Sequence, residues 1–76
     1  MNASIERLHR IEREVTLAGK EILSIRCDAL GYRVLEYDEK NVCTPYVVHA
    51  WLPGTGLFAG RYFERKEGAV AEFDRH

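Results

Sequence analysis

Over the first 30 residues the apolar positions recur at helical spacing. Leu8, Ile11, Val15, Ala18, Ile22, Ile25 and Ala29 follow one another at intervals of 3, 4, 3, 4, 3 and 4, an a/d stripe on one face of a helix. Ile5 widens its start and Leu17, Leu23 and Leu30 flank it. Glu6, Arg7, Arg10, Glu12, Arg13, Glu14, Lys20, Glu21 and Arg26 lie between, as on a solvated face. Asn2 or Ser4 can accept from the first free backbone N–H groups, and Gly31 follows the last stripe residue, where a left-handed residue ends a helix. The spacing predicts one long helix over about residues 4–30. Gly19 is its weak point, at about 1 kcal/mol relative to alanine. A break at Gly19 is the alternative, without accompanying turn chemistry.

After Gly31 the period changes from 3.6 to 2. Tyr32–Asp38 is rich in aromatic and branched residues and runs into a polar turn at Glu39-Lys40-Asn41. Pro45 cannot donate to a ladder, so the next strand begins beside it and spans Tyr46–Leu52. Pro53-Gly54-Thr55-Gly56 is the strongest turn signal in the chain, and Leu57–Glu64 follows at hairpin distance. In the tail, Glu67–Arg75, Val70 and Phe73 stand three apart and indicate a short helix. The expectation is a single α+β domain over residues 1–76 in the order α-β-β-β-α: a long N-terminal helix, a three-stranded antiparallel meander and a short C-terminal helix, with the helices on one face.

Alternation divides the strands into faces. Val47, His49 and Trp51 share one side of the second strand, and Tyr46, Val48, Ala50 and Leu52 the other. The aliphatic and small set is the better bed for the long helix. Trp51, Tyr62, Phe58 and His49, with Arg33 and Tyr37 nearby, then form an exposed aromatic face for a partner. A face of this composition suits a protein-binding hot spot and equally a single-strand stacking platform. The competing arrangement folds the C-terminal helix over it.

Charge narrows the choice. Eleven Lys and Arg against twelve Asp and Glu give a net charge of −1, which is not the clustered basic footprint of a duplex-binding domain. No apolar run approaches a membrane span, and the N-terminal stretch lacks the unbroken apolar core of a signal peptide. Two cysteines are too few for a disulfide framework. These features together predict a cytoplasmic chain.

The residues Gly31-Tyr32-Arg33-Val34, Thr44-Pro45-Tyr46-Val47-Val48, Gly60-Arg61-Tyr62-Phe63 and Ala71-Glu72-Phe73 resemble a group of small, largely uncharacterised proteins carried by phages and plasmids. Their pattern is a long N-terminal helix, a TPYV strand, a glycine-bearing hairpin, a G-x-Y-F strand and a final helix. Arg61 stands where that group would carry a His, and Ala59 where it would carry an aromatic. The resemblance implies a mobile-element origin and the α-β-β-β-α order; it supplies no catalytic residues.

Enzyme motifs are missing from the sequence: there is no Walker loop, G-x-G-x-x-G, G-x-S-x-G or H-E-x-x-H. Cys27, Cys43 and His49, with His9 or His76 as a fourth ligand, match no zinc spacing, and the two cysteines read as buried small hydrophobes. Glu36, Asp38 and Glu39 read as solubilising acids at a strand end. No metal or cofactor is expected. The reading that results is a non-enzymatic protein-binding module, an inhibitor of a host defence or regulatory complex in the manner of anti-CRISPR proteins; the alternative is a single-stranded nucleic-acid binder. A helix of about 27 residues would run roughly 40 Å, well beyond a seven-residue strand of roughly 23 Å. Ile5, Leu8, Ile11 and Val15 would overhang the sheet and form a homodimer seam, or be given over to the host target. On that geometry Leu8→Glu with Ile11→Glu yields a folded monomer.

Overall fold

The computed structural model describes residues 3–29 and 31–75, the side chains of Ala3 and Ser4 excepted. The caps expected from the Asn2 and Ser4 side chains, the flanking position of Leu30 and the ligand role considered for His76 lie outside the described residues. The fold is α+β: α1 (Ala3–Leu17), β1 (Glu21–Cys27), β2 (Tyr32–Tyr37), β3 (Tyr46–Leu52), β4 (Gly56–Phe63) and α2 (Lys66–Phe73). The four strands form one antiparallel meander in the order β1-β2-β3-β4.

The long helix is the main correction. It ends at Leu17, and the second half of its stripe is an extra strand, β1, so the meander has four strands rather than three. The stop lies in Ala18-Gly19. The Gly19 amide donates to the Thr16 carbonyl at 2.9 Å and the Lys20 amide to the Val15 carbonyl at 3.0 Å, a Schellman closure with Gly19 at φ +79°. Only glycine adopts that conformation without steric penalty. The helix-like spacing of Ile22 and Ile25 comes from a β-bulge between Ile22 and Ser24. The bulge returns Ile22 and Ile25, three residues apart, to one face of the sheet. Gly31, expected to end the helix, instead closes the β1–β2 turn: the Asp28 amide donates to its carbonyl at 2.8 Å, and its own amide to Asp28 Oδ1 at 3.0 Å.

The two helices lie on opposite faces, not on one. α1 crosses the Val47–Trp51 side and contacts both edge strands, β1 and β4. There Ile11 and Val15 pack with Tyr32, Val34 and Trp51, and Leu8, Ile22, Ile25 and Leu57 close the margin. α2 lies on the Tyr46–Val48 side, where Ala69 and Phe73 pack on Leu35 and Val48. The expected bed for the long helix thus belongs to the short one. Trp51 gives a physical reason: its indole Nε1 donates to Glu14 Oε2 of α1 at 2.8 Å, and the Leu57 amide donates to Glu14 Oε1 at 3.2 Å. One carboxylate so ties α1 to the β3–β4 hairpin and satisfies the indole that burial would otherwise leave without a partner.

A helix of 15 residues is about 22 Å long, close to the sheet's own length, and the overhang on which the homodimer seam rested is gone. Of its four residues Ile11 and Val15 are fully buried inside the domain, Leu8 is half-buried against the same core and Ile5 alone is exposed. The glutamate test is therefore expected to turn out the other way. Ile11→Glu places an unpaired charge in the core, and circular dichroism will show an unfolded chain rather than a folded monomer. Gly19→Ala, strained but with open space around its Cβ, should lower stability by about 1–2 kcal/mol and leave the fold intact.

Candidate functional site

The face predicted to bind a partner is divided by the register. Arg33 pairs with Ala50 and Tyr37 with Tyr46, which places both on the α2 side. Phe58 joins them through its pairing with Ala50, and the shift in the β3–β4 register between Val48 and Ala50 puts Tyr62 on the other face. His49, Trp51 and Tyr62 remain on the α1 side. Trp51 is 1% exposed and belongs to the core, whereas Tyr62 is 50% exposed. Arg33 is occupied by the backbone carbonyls of Glu72 in α2 and of Arg75 just beyond it, and Tyr37 packs against Tyr46 with ring centroids 5.3 Å apart. No common platform joins the six residues.

The structure instead gathers a polar cluster beneath and beside the end of α1. Glu36 is fully buried. Its place was legible in the alternation Tyr32-Val34-Glu36, although its neighbours Asp38 and Glu39 made it look like a solvated strand end. His49 Nδ1 lies 2.6 Å from Glu36 Oε2, diagonally across the β2–β3 ladder. Glu36 Oε1 has no hydrogen-bond partner among the described residues. The His49 ring meets the edge of Tyr62 with centroids 6.5 Å apart, and Lys20 Nζ stands 5.9 Å from the Tyr62 centroid.

The backbone opposite His49 is bent to receive its ring. Ala59 and Gly60 together face His49 in the bulge of β4, with Ala59 at φ +53°, a conformation unfavourable for alanine. A Cβ at Gly60 would lie 2.6 Å from His49 Nε2. The imidazole thus bridges a buried carboxylate on one side and a side-chain-free backbone on the other. Glu36 fixes the ring's orientation through Nδ1, while Nε2, the atom an acid–base or metal role would use, lies against Gly60.

Cys27 and Cys43, expected to be buried, are both exposed and free. Cys27 closes β1 beside Tyr32, and Cys43 sits in the β2–β3 loop at the opposite end of the sheet. Among the described residues no three His, Cys, Asp or Glu side chains converge in a way that could hold a metal ion. No helix there is long and apolar enough to cross a membrane.

A further feature escaped the sequence pattern. Leu17 is 81% exposed, Val42 87% and Tyr62 50%. Leu17 ends α1 just before β1 begins, Val42 lies in the loop joining β2 to β3, and Tyr62 is next to the last residue of β4. The α1–β1, β2–β3 and β4–α2 connections all lie at the same end of the meander, and Lys20 stands by Tyr62 there. No known protein family, curated protein or solved structure matches the chain.

The buried pair gives a directional expectation. His49→Ala leaves the buried Glu36 side chain without its hydrogen-bond partner and should lower stability by about 1–3 kcal/mol. Replacing both groups, as Glu36→Leu with His49→Phe, should recover most of that loss. Urea denaturation of the three chains measures it, and a double variant as unstable as the single one would contradict the assignment.

Proposed function

We propose that this chain is a protein-binding module that works without catalysing a reaction, and that its contact surface is the end of the sheet carrying Leu17, Val42 and Tyr62. The observation that carries this reading is that the three most exposed of the described large apolar side chains, Leu17, Val42 and Tyr62, stand in or beside connections at one end of the sheet, while Ile5, Leu23 and Phe58 are exposed to a lesser degree elsewhere. Exposed apolar side chains at one end of a domain suit an interaction site, and tyrosine is among the residues enriched in energetic hot spots. Lys20 Nζ stands over the Tyr62 ring. The position of His49 Nε2 against Gly60 favours a structural role for the Glu36–His49 pair over acid–base chemistry.

The resemblance to small phage and plasmid proteins points to a host defence or regulatory complex as the target and to inhibition as the effect. Single-strand binding has less support, since Trp51 is buried and the exposed aromatics Phe58 and Tyr62 face opposite sides.

The test is affinity capture from host lysate with the intact chain and with Leu17→Ser, Val42→Ser and Tyr62→Ala combined. One dominant protein should be retained by the parent chain and weakened at least tenfold by the triple variant, the loss of about 1.4 kcal/mol or more that hot-spot truncation brings. The triple variant must keep the parent's circular dichroism. Salt-sensitive retention of an oligonucleotide in place of a protein, or a partner held equally by both chains, would contradict the proposal.

A further inference from the structure

The face of the sheet that carries α2 is only half covered by it. Eight helical residues span about 12 Å, against roughly 23 Å for the seven-residue β3. Ala69 and Phe73 rest on Leu35 and Val48. Beyond them, toward the β1–β2 and β3–β4 turns, Ala50, Leu52 and Phe58 line a depression of about 230 Å³ that no helical residue borders. Phe58 stands at its rim, 38% exposed.

Arg33 and Ala50 also border a second depression, of about 170 Å³, which reaches the β4 bulge at Ala59 and is walled by Arg61 and Glu72. The two hollows therefore adjoin, one apolar and one charged. Arg61 is the cation free to turn. Its side chain is 62% exposed, and its polar partner among the described residues is Glu72 Oε1 at 3.5 Å, beyond the roughly 2.7–2.9 Å of a charge-assisted hydrogen bond. Arg75 stands 3.3 Å from the same oxygen, so Glu72 keeps a cation when Arg61 turns away. Arg33 is fixed, its Nη1 held by the Glu72 and Arg75 carbonyls and its Nη2 3.5 Å from Asp28. Arg26, which donates to the Phe73 carbonyl, completes a group of arginines that outnumbers the neighbouring acids Glu72, Asp28 and Asp74. Positive charge in surplus beside an apolar hollow calls for an apolar anion.

We propose that these adjoining hollows bind a small carboxylic acid with an apolar body, the body against Leu52 and Phe58 and the carboxylate on Arg61, with the charge of Arg33 behind it. An apolar lining with one well-placed charge is the make-up of a small-ligand site. It lies toward the end of the sheet opposite Leu17, Val42 and Tyr62, outside the packed contacts of α2, and does not rest on the protein-binding reading.

The test is a nuclear magnetic resonance titration of the full chain with 3-phenylpropionate. The Leu52 methyl and Phe58 ring resonances should shift together and saturate. The affinity should be at least tenfold higher than for acetate, which lacks the apolar body, and for 3-phenylpropanol, which lacks the charge. Arg61→Gln, an exposed change outside the core, should weaken 3-phenylpropionate at least tenfold and leave 3-phenylpropanol unaffected. Arg65→Gln, which removes the same charge at the opposite end of α2, should leave the affinity for both unchanged. Shifts that do not saturate, equal affinity for the charged and uncharged probes, or equal losses in the Arg61 and Arg65 variants would overturn the proposal.

Discussion

The hydrogen bond from the Lys20 amide to the Val15 carbonyl, 3.0 Å long, closes α1 around a left-handed Gly19 and sends the chain back across the sheet. Without that reversal Glu21–Cys27 could not lie beside β2, and the sheet would lack one edge strand. It also sets where α1 can lie. A helix of 15 residues followed at once by an edge strand has to cross the sheet it feeds, and it does so from β1 to β4. Glu14 then anchors the far side by taking up the Trp51 indole and the Leu57 amide.

A 76-residue chain has little apolar surface with which to offset unfavourable features, and this one concentrates several at one place. A fully buried acid with one oxygen lacking a hydrogen-bond partner among the described residues, an alanine at positive φ and a glycine pressed by an imidazole all meet around His49. Buried ion pairs are weak contributors to stability, and their best-attested use is to specify register. The same logic applies here. The ring of His49 occupies the space over Gly60 where β4 bulges, and the bulge puts Tyr62 opposite Val47 while Phe58, on the turn side of it, stays with Ala50. Which aromatic emerges on which face follows from that local register.

The strands after Gly31 were readable because their signals were local. Tyr46–Leu52 begins beside Pro45, and the Pro53–Gly56 turn fixes the hairpin that follows. The first 30 residues carry the pattern of a single helix for a definite reason: the bulge at Leu23 gives a strand the three-residue spacing of a helix, and the helix propensity of Gly19 does not reveal the closure it makes. The candidate site suffered from the same limit. Tyr62 was picked out by alternation and is indeed exposed. Phe58 falls on the other face because the hairpin register pairs it with Ala50, and a bulge that alternation cannot register then separates Tyr62 from it. Trp51 is buried with a helix-borne hydrogen-bond partner, Glu14, that is invisible in a strand pattern. Glu36 was hidden by the acids after it. Leu17 and Val42 become conspicuous only once the topology brings three connections to one end of the sheet.

The placement of residues 21–27 is the point on which the architecture turns, and backbone nuclear magnetic resonance measures it directly. Strand-type Cα and Cβ shifts for Glu21–Cys27, with cross-strand contacts linking Ile25 to Val34 and Cys27 to Tyr32, are the result this account predicts. Helical shifts running unbroken through Gly19 to Cys27, with contacts between residues three apart along that stretch, would contradict it.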